Sequence, residues 1–243
     1  MANLEIFGQL PPIGKPDAPI VLLDQCIIRS NPRSRIQRAR QLKSFTENSA
    51  LLVIDMQIGF DDPAWGPRNN PILEANVAAL IAAWRVLALP VIHVHHDSPT
   101  PCGRMRPGTP GNAAKHQAKP LATEKVHRKR VNSAFIGTSL EADLAHLGVK
   151  AVFIAGLTTN HCISTTARMA GNLGFDTFVI ADATATFDRA ALDGTLRRAA
   201  DVHAAALSDL QGEFAEIVET KTVLAATWPS SEARVKRREN RNV

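Results

Sequence analysis

AVFIAGLTTNHCISTTARMAGNLGFDTFVIAD, residues 151–182, is the stretch that decides the fold. AVFIAG at 151–156 is a continuous apolar run rich in branched side chains, as a strand buried on both faces requires. A threonine-rich polar turn follows, and then a segment from about Ile163 to Leu173 that reads as a helix, with Gly174 as its stop. DTFVIAD at 176–182 is a second buried run. Strand, helix and strand in about thirty residues make the βαβ unit of a parallel sheet, joined by a right-handed crossover.

Two earlier runs repeat the pattern, ALLVID at 50–55 and PVIHVH at 90–95. Asn70 followed by Pro71 places a cap and a first-turn proline before ILEANVAALIAAWRVLAL. Thr138 and Glu141 form a T-x-x-E capping box before a stretch ending at Leu147 and Gly148. A further helix is expected across 195–210 and a last strand across AEIVETKTVL, 215–224. The expected fold class is therefore α/β, a three-layer doubly wound sandwich with a mainly parallel sheet and sites at the carboxyl ends of its strands.

A chain of 243 residues with 45% hydrophobic and 21% charged residues has the composition of a globular protein. Residues 1–47 read as a basic, proline-containing extension, 48–227 as one domain and 228–243 as a basic tail. PIVLLD at 19–24 is a candidate added strand within the extension. The net charge of +5 is concentrated at the two ends, at Arg29, Arg33, Arg35, Arg38, Arg40 and Lys43, and at Arg234, Lys236, Arg237, Arg238 and Arg241. Neither run is interleaved with aromatics for stacking on bases, so solvated termini are preferred to a nucleic-acid-binding function. Cys26, Cys102 and Cys162 show neither a disulfide framework nor zinc-site spacing. With neither a secretory leader nor a membrane span in sight, a soluble cytoplasmic protein is expected.

The carboxyl-end rule selects residues for chemistry. Asp55 ends one run, His95 and His96 another, Leu157 to Cys162 follow the third and Asp182 ends the fourth. Asp55 could equally well serve a turn. Cys162 stands where a helix begins, and a helix N-terminus favours thiolate over thiol, so an acidic thiol is expected. A neighbouring cation would add to this. Lys125, Arg128, Lys129 and Arg130 all stand in one segment, and spacing does not choose among them.

Three motifs then coincide: VIDMQIGF around Asp55, K-x-x-x-SAF from Lys129 to Phe135 followed by GTSLEADL, and GLTTNHCISTTARMA around Cys162. In this order they resemble the isochorismatase-like cysteine hydrolases, which include nicotinamidases and N-carbamoylsarcosine amidase, over about residues 48–227. The resemblance implies a six-stranded sheet and an Asp/Lys/Cys triad carried over to Asp55, Lys129 and Cys162, choosing Lys129 because it lies four residues before Ser133. It also implies a non-proline cis peptide between Leu157 and Thr158, with the N–H groups of Thr158 and Cys162 forming an oxyanion hole.

The function so implied is hydrolysis of an amide or carbamoyl C–N bond of a small molecule through a thioester, without a cofactor. Hydrolysis of a vinyl ether, the isochorismatase reaction, is the alternative. Phe60, Trp65, His96, Asn132, Phe135 and His161 are the candidate substrate contacts, adjacent to the triad motifs or strand ends. VIHVHHD raises a metal site at His93, His95 or His96, but the D-x-H arrangement of metal-binding nicotinamidases is absent, so no metal is expected. The resemblance also implies a homo-oligomer, a dimer or tetramer.

Overall fold

The computed structural model describes residues 48–227. The candidate strand at 19–24, Cys26 and both basic runs lie outside the described residues. Five strands come first in the chain: β1 (Ser49–Ile54), β2 (Val91–His96), β3 (Lys125–Lys129), β4 (Ala151–Leu157) and β5 (Asp176–Ala185). A two-stranded antiparallel hairpin follows, β6 (Arg189–Ala190) with β7 (Leu196–Arg197), and then β8 (Glu216–Val218). Six of these strands form one parallel sheet in the order β3-β2-β1-β4-β5-β8.

Alternation along β1 shows why its sequence is apolar throughout. Leu51 and Val53 face one side of the sheet, with Leu73, Val77, Leu80 and Trp84 of α1 (Leu73–Val86). Ala50, Leu52 and Ile54 face the other side, with Leu140 and Leu144 of α2 (Leu140–His146) and Ala167 and Ala170 of α3 (Ser164–Asn172). Leu207 of α4 (Ala199–Ser208) joins this second core, and Val223 of α5 (Thr220–Thr227) the first. A strand covered on both faces has no solvent side on which polar residues would alternate. In the first core Phe153 stacks on its neighbour across the sheet, Phe178, with ring centroids 4.6 Å apart.

Several local expectations are corrected. Asn70 does not cap a helix: it adopts φ 47, and its Nδ2 donates to the carbonyls of Ala181 and Thr184, tying the approach to α1 onto β5. The capping box does not close. Thr138 Oγ1 accepts from Leu140 N–H at 3.3 Å and donates to the Ala134 carbonyl, while α2 starts after Ser139, whose hydroxyl meets Asp143 at 3.0 Å. The helix expected across 195–210 is shorter, Ala199–Ser208, because Leu196 and Arg197 pair in the hairpin.

The run 215–224 divides into β8 and α5 rather than forming one strand. Asp182 Oδ1 accepts from both the N–H and the hydroxyl of Thr220, at 2.8 and 2.7 Å, and so anchors a helix start. Finally, β3 carries little apolar signal, because its one aliphatic residue, Val126, is exposed and the side chains it buries are His127 and Lys129.

Candidate active site

The site forms where the neighbouring strands β3, β2, β1 and β4 end side by side. Asp55 directly follows β1, with φ 50 and its N–H bonded to the Val94 carbonyl at 2.7 Å. Lys129 is the last residue of β3, in register with His96 at the end of β2. Cys162 follows β4 in a π-helical turn, Thr159–Ile163, that leads into α3. Sheet topology therefore gathers residues from distant parts of the sequence onto one carboxyl edge.

Lys129 Nζ lies 2.6 Å from Asp55 Oδ2, 3.4 Å from Cys162 Sγ and 3.4 Å from His96 Nδ1. Asp55, Lys129 and Cys162 are 0%, 1% and 8% exposed. The carboxylate offsets the burial of the ammonium, which alone would be costly. Asp55 Oδ1 is also buried, and the Cys162 thiol is a hydrogen-bond partner of this carboxylate.

Burial pushes the Asp55 carboxyl above its ordinary range, against the pull of Lys129. Burial and then the Asp55 charge push the Cys162 thiol up to about 12, with Lys129 opposing them. This corrects the expected acidic thiol. The turn begins at Thr159, before the cysteine, and the thiol faces a carboxylate in a nearly dry environment. His96 is lowered by burial and by Lys129, so its neutral Nδ1 can accept from the ammonium.

Polar groups from the loops after β1 and β2 support these strand ends. Gln57 is fully buried: its Nε2 donates to the His96 and Asn112 carbonyls, and its Oε1 accepts from His96 N–H at 2.7 Å. Asn112 Nδ2 reaches the carbonyls of His96 and Met105 and the Asp97 carboxylate. The candidate metal histidines point to separate partners. His93 Nε2 meets Glu124 at 3.0 Å, and His95 Nδ1 faces the Arg128 guanidinium at 3.3 Å. Among the described residues, no group of three or more His, Cys, Asp or Glu side chains is arranged to hold a metal ion.

The peptide bond between Leu157 and Thr158 is cis. Each residue after it has a distant partner: Thr159 Oγ1 lies 2.8 Å from His203 Nδ1 on α4, Asn160 Oδ1 accepts from the Thr186 hydroxyl, and His161 Nε2 lies 2.9 Å from Arg189 Nη1.

Of the candidate substrate contacts, His96 and Asn132 stand beside the three central side chains, with Asn132 Oδ1 3.8 Å from Cys162 Sγ. Phe60 and Trp65 form an aromatic group with Phe187, at centroid distances of 5.3 to 6.1 Å. Phe135 stacks instead on Phe175, the residue before β5, and packs against the second core. Gln57, Phe187, Arg189 and His203 were not anticipated. Gln57 sits within the VIDMQIGF motif, whereas the other three carry no local signal.

A parallel, doubly wound α/β sandwich here holds a buried carboxylate, ammonium and thiol together at the carboxyl edge of its central strands, where sites of this fold class lie. The Isochorismatase domain matches residues 49–222 of the chain. YrdC of Bacillus subtilis, an uncharacterized isochorismatase family protein, is 43% identical over 178 residues, covering 73% of this chain and 95% of that protein. Nicotinamidase 3 of Arabidopsis thaliana is 34% identical, covering 70% of this chain and 84% of the plant protein. A crystal structure from Chromobacterium violaceum, described as of the isochorismatase family, is 45% identical with a TM-score of 0.73, covering 74% of this chain and 94% of that one. The chain belongs to the isochorismatase family of hydrolases.

Proposed function

We propose that this hydrolase cleaves the C–N bond of a small amide or carbamoyl compound through a thioester on Cys162. The observation that carries this reading is the position of Lys129 Nζ, 2.6 Å from Asp55 Oδ2 and 3.4 Å from Cys162 Sγ, with all three groups buried. The similarity to a nicotinamidase points the same way.

In the proposed sequence, Asp55 Oδ1 takes the thiol proton as Sγ attacks the carbonyl carbon. Burial and the Asp55 charge hold the thiol above its ordinary range, so this transfer accompanies the attack. The C=O electron pair moves onto oxygen, and the N–H groups of Thr158 and Cys162 receive the oxyanion. As the carbonyl reforms, the C–N bond breaks and Asp55 returns its proton to the nitrogen, releasing ammonia or an amine. Water then attacks the thioester while Asp55 accepts its proton. Release of the acid returns that proton to Sγ. Lys129 Nζ stays beside both groups throughout, steadying the carboxylate and the sulfur.

An ammonia-release screen over small primary amides and N-carbamoyl compounds tests this, with Cys162→Ala as the blank. Turnover in the wild type and none in Cys162→Ala is expected. Full turnover by Cys162→Ala would remove the thioester, and cleavage of a vinyl ether by that variant would favour the other reaction.

A further inference from the structure

The nucleophile turn is closed by its own backbone. The Thr158 carbonyl accepts from the N–H groups of His161 and Ile163, the residues on either side of Cys162, at 3.1 and 3.2 Å. That carbonyl shares a peptide plane with the nitrogen of Thr159, so a tie on Thr159 steadies the seat of the thiol. Thr159 is 0% exposed, and its Oγ1 lies 2.8 Å from Nδ1 of His203, a half-buried residue of α4. The side chains of Asn160 and His161 are tied instead to Thr186 and Arg189, around the start of the hairpin, whereas α4 is packed into the second core through Leu207.

His203 also bonds the Ala181 carbonyl of β5. A carbonyl only accepts, so the ring donates there, and a neutral ring keeps an acceptor nitrogen for the Thr159 hydroxyl. Burial lowers the His203 pKa, which keeps the ring neutral. Ala181 stands in the part of β5 that the ladder with β4 skips, since Ile154 pairs with Val179 and Gly156 with Thr184. Its carbonyl also accepts from Asn70 Nδ2 at 3.0 Å and Thr184 Oγ1 at 3.1 Å. One imidazole thus spans the turn that carries Cys162 and the bulge of β5.

We propose that His203 is a positioning residue: by holding Thr159 it fixes the nucleophile turn to β5 and so places Cys162 Sγ against Asp55 and Lys129. It acts through Thr159 rather than on the reacting atoms. Its effect on turnover rests on the amide-hydrolysis reading above; the placement of the thiol does not.

The test uses the full chain and follows iodoacetamide alkylation of Cys162 against pH, read on its own peptide by mass spectrometry. Thr159→Val removes the hydroxyl at nearly constant volume, and His203→Gln removes the acceptor at the Nδ1 position. A loosened turn admits water to a thiol raised mainly by burial, so the alkylation midpoint falls by about half a pH unit or more in each variant. The double variant shows the shift of one single variant, because both remove the same contact. Thr159→Ser, which keeps the hydroxyl, and His203→Asn, whose Oδ1 stands where Nδ1 stood, shift the midpoint less. Ala206→Gly loosens α4 away from Thr159; it lowers the urea midpoint and leaves the alkylation midpoint unchanged. If Thr159→Val or His203→Gln keeps the wild-type midpoint, if their shifts add in the double variant, or if Ala206→Gly moves it as far, the proposal fails.

A second arm measures ammonia release from butanamide and methylurea. Thr159→Val and His203→Gln lower kcat about tenfold to a hundredfold, the loss expected for a nucleophile misplaced by about 1 Å, while KM changes far less. Shifted midpoints with neither compound hydrolysed by the wild type would leave the positioning role standing and count against amide hydrolysis. An undiminished kcat in both variants would overturn the positioning role, whatever the midpoints do.

Discussion

Cys162 keeps its proton because burial and Asp55 together outweigh Lys129. The two charged neighbours act on the thiol with opposite sign, which gives a signed prediction. Asp55→Asn removes the charge that opposes thiolate, so the pH midpoint for iodoacetamide alkylation of Cys162 falls by about one pH unit or more. Lys129→Met removes the charge that favours it, so the midpoint rises and labelling near neutral pH slows. Turnover is lost in both variants, since the proton acceptor or its cation is gone. Alkylation profiles measured across pH for the three proteins check this. A midpoint unmoved by Asp55→Asn would mean that the carboxylate does not act on the thiol.

β4 and the turn after it are the elements that bring the thiol to the carboxylate. The register of β4 against β5 shifts between Ile154 and Gly156, and Gly156 adopts φ 123 opposite Ile54. A Cβ on Gly156 would stand 1.9 Å from the Ile54 carbonyl oxygen, one residue before Asp55. Gly156→Ala combines a disfavoured φ with a backbone clash and is expected to cost roughly 2–4 kcal/mol of stability, read from urea unfolding. It should also impair turnover, because the strand ends that hold Asp55 and Cys162 are forced apart. A loss below about 0.5 kcal/mol would show that the strands relax without strain.

Over the whole molecule, buried histidines link stability to pH. His93, His95, His96, His127, His161 and His203 are all shifted downward, with burial as the largest cause, and His95 falls from an ordinary 6.5 to about 4. Between those two pH values the unfolded chain binds protons that the folded chain refuses, so acid favours unfolding. Glu74 and Glu124, held near 2 by Arg68 and Arg85 despite burial, continue the trend below their ordinary 4.5. The Tm is therefore expected to be fully developed above about pH 6.5 and to decline steadily as pH falls through 4. His95→Gln should flatten the upper part of that decline. A Tm constant from pH 7 to 4 would contradict the buried, neutral assignment.

The apolar runs at β1, β2, β4 and β5 determined the parallel sandwich by themselves, because strands covered on both faces leave an unbroken hydrophobic signal. The same local signal, read with the carboxyl-end rule, placed Asp55 and Cys162 at one edge, and the motif resemblance selected Lys129. β3 escaped notice because it buries His127 and Lys129, polar residues that announce no strand. Asn70, the box at Thr138 and the run 215–224 were misread because their hydrogen bonds go to partners far along the chain or to unexpected near neighbours, as with Asn70 on Ala181 and Thr220 on Asp182. Only the tertiary structure decided the direction in which the thiol is shifted, the burial of Asp55 beside Lys129 and the seat of Arg189 on His161. Each depends on burial and on distances between segments, and a linear sequence contains neither.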